Sequence, residues 1–245
     1  SRELRRGQVL VRRGDTVSEE VAETLRALGR ERTEVGRLVR ASGVALMVSL
    51  MVLAWWPLLR QLGGPTEMRR RLSMIFILLL LFTAITRLGS YLAHASAFTA
   101  QGSALSAVEV YLWALPFAAG PATVIVLLGM PPALSFAVCG AGIAGMMLDD
   151  SFPMAVFALA SGLVAAIATQ RSRDRMSMSR VGLTVGTVNV VMMLVLEVYR
   201  GLPEQPSAVA FAALFAFVGG PLSVGVVSFL LPVLEAVLPL AADST

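Results

Sequence analysis

After residue 40 the chain alternates between long apolar runs and short polar connections, and the runs share a length. They cover 41–59, 72–92, 108–128, 132–148, 152–170, 181–199 and roughly 208–231. Each is close to the ~20 residues a helix needs to cross about 30 Å of hydrocarbon. In lipid the backbone polar groups must be satisfied within each span, so the runs read as helices. The pattern predicts an all-α membrane protein, a seven-transmembrane helix bundle over 41–235. A polar segment, 1–40, precedes it and a short tail, 236–245, follows.

The arginines sort the connections by side. Loop 60–71 carries Arg60, Arg69, Arg70 and Arg71, and loop 171–180 carries Arg171, Arg173, Arg175 and Arg180. The alternate connections are loop 93–107, the Asp149-Asp150 turn and loop 200–207, and they hold Arg200 alone. Retention of basic loops in the cytoplasm then puts the N-terminus outside and the C-terminus inside. Arg37 and Arg40 run against this locally, which a longer translocated domain tolerates. In the exterior segment, Thr16 and Glu19 have capping-box spacing, Val17, Val21, Leu25 and Leu28 follow at helical intervals, and Gly29 stops the helix. So short and charged a helix reads as the end of a larger extracellular domain, with 33–40 as the linker.

Composition narrows the chemistry. The chain is 56% hydrophobic and 15% charged, with a net charge of +4. In a soluble protein that basic excess would suggest nucleic acid, but no aromatic residues interleave with the arginines as such a platform requires. All 20 basic residues are arginine, so no lysine can carry a retinal Schiff base. One cysteine (Cys139) and one histidine (His94, in the 93–107 loop) predict no disulfide, no zinc site and no cofactor. The pairs Met146-Met147 and Met192-Met193 read as apolar filling rather than copper ligands.

Three ionisable side chains fall in or at the edge of spans: Arg87, Glu109 and Glu197. Counted from the cytoplasmic arginines, Arg87 and Glu197 lie about 25 Å up their helices, and Glu109 opens the third span on the same side. They form either a structural ion pair or the floor of an outward-facing pocket for a small polar ligand, because an unpaired charge in hydrocarbon is expensive. Asn189 and Gln170 read as helix-bridging polar groups. Gly140, Ala141, Gly142, Ala144 and Gly145 place the fourth span in the bundle interior. Pro116 and Pro121 predict a kink in the third.

The segment G-Q-V-L-V-R-R-G-D-T-V-S-E-E (Gly7–Glu20), followed by L-R-A-L-G, resembles the membrane-proximal end of the extracellular domain in one bacterial family. These are the seven-transmembrane receptors with an HD hydrolase domain, the PgpH-like cyclic di-AMP phosphodiesterases. Gly219–Ser223 (G-G-P-L-S) with Leu230–Glu235 is similar to that family's seventh helix and its exit, and Arg171–Asn189 to its loop and sixth helix. Pro221 departs from the aliphatic residue expected within G-G-x-L-S, which leaves the helix start there open. The resemblance spans the chain. It implies an extracellular sensor domain, seven helices in the bacterial cytoplasmic membrane, and a cytosolic two-metal HD domain that hydrolyses cyclic di-AMP.

The chain lacks an initial methionine and a signal-peptide pattern and stops at Thr245, so it reads as a piece of a longer protein ending before that HD domain. One histidine cannot supply the two-metal chemistry, so this region is expected not to be the enzyme. The resulting expectation is a sensor and signal transducer. Its partners would be lipids, its own soluble domains, a small ligand and a second copy of itself, with no nucleic acid. The alternatives are a small-molecule transport module and an inert anchor. An intramembrane enzyme is disfavoured, because Asp149-Asp150 is a turn pair.

Overall fold

A computed structural model describes residues 65–100, 103, 105–148, 152–171, 175–201 and 206–237. All of them belong to one compact unit, Ala54–Thr245. The expected first span (41–59), the segment 1–40, the Asp149-Asp150 turn and most of the tail lie outside the described residues.

The described residues form helices and connecting turns. In chain order the helices are α1 (Pro65–Thr99), α2 (Val108–Leu112), α3 (Ala119–Leu128), α4 (Met130–Met147), α5 (Phe152–Gln170), α6 (Arg175–Arg200) and α7 (Pro206–Val237). Five of these are long and apolar enough to cross a membrane: α1, α4, α5, α6 and α7. The result is an all-α, multi-pass membrane bundle. Sequential neighbours α4, α5, α6 and α7 pack in series, and α3 touches α1, α4, α5 and α7 at the centre.

The third span is not one kinked helix over 108–128 but two helices with a break between them. Pro116 is responsible. It has no N–H to give the Leu112 carbonyl and its ring clashes there, and α2 ends at Leu112. The break is held by short-range bonds, Ala114 N to Tyr111 O (3.1 Å), Leu115 N to Leu112 O (3.2 Å) and Ala119 N to Pro116 O (3.1 Å). Pro121 breaks nothing. It lies in the first turn of α3, where backbone N–H groups have no helical acceptor to lose.

Irregular backbone at membrane depth survives only when protein covers it. Here aromatic rings do so. Trp113 packs edge-on against Phe157 with centroids 4.8 Å apart, Phe117 against Phe157 at 6.0 Å, and Phe82 against Phe136 at 5.8 Å. All five side chains are buried. Small residues admit them: the Phe82 ring lies over Gly140, where a Cβ would sit 3.1 Å from it. The small-residue helix α4 is the most buried of the five long apolar helices, at 50%.

Other boundaries moved too. Helix α1 begins at Pro65 and runs on to Thr99, so His94 lies on a helix rather than in a loop, its Nδ1 2.8 Å from the Ser90 carbonyl. Nothing between Leu92 and Thr99 breaks a helix, since the segment has no proline or glycine. The connection between the apolar runs 108–128 and 132–148 contracts to Gly129, whose φ of 90° is open only to glycine at low cost. Pro131 and Pro132 fall in the first turn of α4. Pro221 lies inside α7, so no helix starts there.

Helices α6 and α7 make the closest crossing. Gly182 and Gly186, four residues apart on α6, face Phe217, Gly220 and Pro221 on α7. A Cβ on Gly186 would stand 2.6 Å from the Phe217 carbonyl oxygen. Small-xxx-small faces of this kind let backbones meet, and dispersion then drives association where lipid offers no hydrophobic gain. Seven residues after Gly182, Asn189 is buried and its Nδ2 donates to the Ala216 carbonyl across the same interface at 3.4 Å. That bond is long, and the Asn189 Oδ1 has no partner among the described residues. Asn189→Ala is therefore expected to shift stability by less than about 1 kcal/mol, read from the thermal unfolding midpoint in detergent.

Candidate functional site

At the end of the bundle where α6 hands over to α7, the two helices part around a cleft of about 240 Å³. The last turn of α6 supplies Glu197 and Arg200, three residues apart and therefore on one helical face. Gly201, at φ 84°, turns the chain away. The first turns of α7 supply Ala208, Val209 and Ala212, and α2 closes the third wall with Glu109 and Val110 behind Ala107. The connections between helices are short, so this end is opposite the one bearing Arg69, Arg71 and Arg171.

The charges are placed unequally. Glu197 is only 9% exposed, whereas Glu109 and Arg200 reach the surface. No described residue hydrogen-bonds or ion-pairs with the Glu197 carboxylate. The Arg200 guanidinium stands 5.8 Å over the ring of Trp113, which is fully buried beside the break, a cation–π geometry. The cleft thus joins the handover of α6 to α7 with the interrupted third span.

Of the three charges expected at one depth, Glu109 and Glu197 line this cleft and Arg87 does not. Arg87 is exposed on the outer face of α1, its guanidinium 5.0 Å from the Tyr91 ring centroid, one turn along. Arg200 supplies the cation in its place. Its spacing from Glu197 was the available signal, hidden by its position at the start of a polar loop. Asn189 sits deeper on α6 in the crossing with α7, and Gln170 is exposed at the end of α5. Among the described residues, no three His, Cys, Asp or Glu side chains gather as a metal site.

The model of one protein family, described as a 7TM receptor with intracellular HD hydrolase, matches residues 38–240. No curated protein and no solved structure matches the chain.

Proposed function

Because this chain belongs to the seven-transmembrane receptors with an intracellular HD hydrolase, we propose that it is the sensing and signal-transducing membrane domain of such a protein. It couples a ligand from outside the cell or from the membrane to a cytosolic HD phosphodiesterase acting on cyclic di-AMP. In this reading the membrane is the bacterial cytoplasmic membrane, the N-terminus is outside and the C-terminus inside. Residues 1–40 end an extracellular domain, 236–245 lead to the hydrolase, and the chain itself carries no catalysis and no cofactor. A second copy of the chain is a partner.

The observation that carries the reading is the cleft holding the buried Glu197. Its walls are the ends of α6 and α7, which the Gly182–Gly186 crossing with Gly220 locks together. A ligand that binds one spacing of these helix ends better than another shifts the pair, and α7 carries the shift toward the C-terminus.

The test uses the full-length protein, hydrolase included, in proteoliposomes. Glu197→Gln is expected to change the rate of cyclic di-AMP hydrolysis by about fivefold or more, with an unchanged unfolding midpoint. Equal rates in the two proteins would sink the coupling, as would unchanged regulation after exchange of the spans for unrelated helices, the outcome for an inert anchor.

One observation favours the transport alternative: broken helices are a recurrent device of carriers. The crevice beside this break, lined by Phe82, Thr86, Pro116 and Thr123 among others, holds about 20 Å³. That is room for about one water and none for a solute. A solute flux through vesicles containing the domain alone would restore that alternative.

A further inference from the structure

Glu197 is nine-tenths buried as a residue, its carboxylate lines the cleft, and it has no hydrogen-bonding or ionic partner among the described residues, so a cation in the cleft would be favoured there. Its cleft holds a second carboxylate, Glu109, and one guanidinium, Arg200, so the described residues of the wall carry one negative charge in excess. The remaining lining is Ala107, Val110, Gly201, Ala208, Val209 and Ala212. A volume of about 240 Å³ is far more than a bare ion fills. A divalent metal fits poorly for a second reason: it takes six or more oxygens, and here two carboxylates share the wall with a guanidinium. Among the described residues no aromatic ring lines the cleft, so they form no cage of the kind that holds a quaternary ammonium. A primary ammonium has a single positive charge and three N–H donors, enough to bridge two carboxylates, and a short aliphatic body suits the alanine and valine wall.

We infer that this cleft binds the protonated primary amine of a small organic molecule or a lipid headgroup, with Glu197 as its main acceptor and Glu109 as the second. The inference rests on the sensing reading only in making this amine the signal; the binding itself is measured separately. The full-length protein is placed in nanodiscs of phosphatidylglycerol, which has no amine, and titrated calorimetrically with ethanolamine. Saturable binding is expected, weakened at least about tenfold by Glu197→Gln. Ethylene glycol, its uncharged counterpart, is expected not to bind. Glu109→Gln, at an exposed position, provides the same comparison should the buried substitution disturb folding. Nanodiscs containing phosphatidylethanolamine distinguish the sources: competition with ethanolamine identifies the headgroup, and undiminished binding identifies the soluble amine. Ethanolamine that does not saturate, or that binds both variants as it binds the parent, overturns the assignment. Amine binding without any change in cyclic di-AMP hydrolysis would retain the site and remove the sensing reading. Hydrolysis that responds to Glu197→Gln without amine binding would do the reverse.

Discussion

Gly220→Val is expected to leave little folded protein. A Cβ at position 220 falls on the Gly182 carbonyl oxygen and the Gly186 amide nitrogen and lies 2.7 Å from the Gly186 Cα. All three are backbone atoms of α6, which cannot rotate away as a side chain would. On the other side, Gly219 approaches the Trp113 carbonyl oxygen, 3.1 Å from where its own Cβ would stand. Helix α7 is thus confined between α6 and the broken span, and any retreat from one neighbour presses it on the other. Overpacking in a core that can adjust costs about 1–3 kcal/mol, and this site has nowhere to adjust, so at least about 3 kcal/mol is expected. The thermal unfolding transition in detergent, followed by circular dichroism, should drop sharply or vanish. Gly225→Val on the same helix is the control, because nothing lies within 4 Å of that Cβ. Equal behaviour of the two variants would disprove the close crossing.

The second large effect is expected at Trp113. Its ring is fully buried, packs on Phe157 and lies beneath the Arg200 guanidinium. Trp113→Ala empties the centre of the aromatic cover over the break. The indole Nε1 has no partner among the described residues, so no hydrogen bond is lost with it. Lipid is as apolar as the core, so the destabilisation comes from the cavity and the lost dispersion contacts. That places it near 3 kcal/mol, the lower end for such truncations. Trp113→Phe, which keeps a ring against Phe157, should recover more than half of that loss. Matched unfolding midpoints for the alanine and phenylalanine variants would show that the ring does not hold the break.

These two sites differ in how openly the sequence displays them. Gly182 and Gly186 stand in the small-xxx-small spacing, and Gly219-Gly220 belongs to the G-G-P-L-S motif, so a close approach could be suspected from each. Which glycines meet could not. Pro116 marks the break directly, since a proline withholds the bond to the carbonyl four residues before it, here that of Leu112, where α2 ends. Pro121 looked equivalent and is not, because its effect depends on where the next helix starts. Helix ends were poorly legible for a related reason. Hydropathy reports where hydrocarbon begins, whereas a helix continues into water for as long as its backbone bonds persist, as α1 does over His94.

Length and hydropathy determined by themselves that this is a polytopic helical membrane protein, and the sequence alone shows which stretches between the apolar runs carry the arginines. Those features follow from the thickness of the bilayer and the cost of charge within it, and need no partner element to be read. Only the tertiary structure decided which face of each helix turns inward. In a soluble helix the outer face is polar and betrays the inner one; here Phe76, Leu80 and Leu88 face outward on α1 while Leu78 and Phe82 face inward, and both stripes are apolar. The direction in which Arg87 points was therefore not readable. Packing alone put Arg87 on the outer face with Tyr91 and brought Arg200 into the cleft with Glu109 and Glu197.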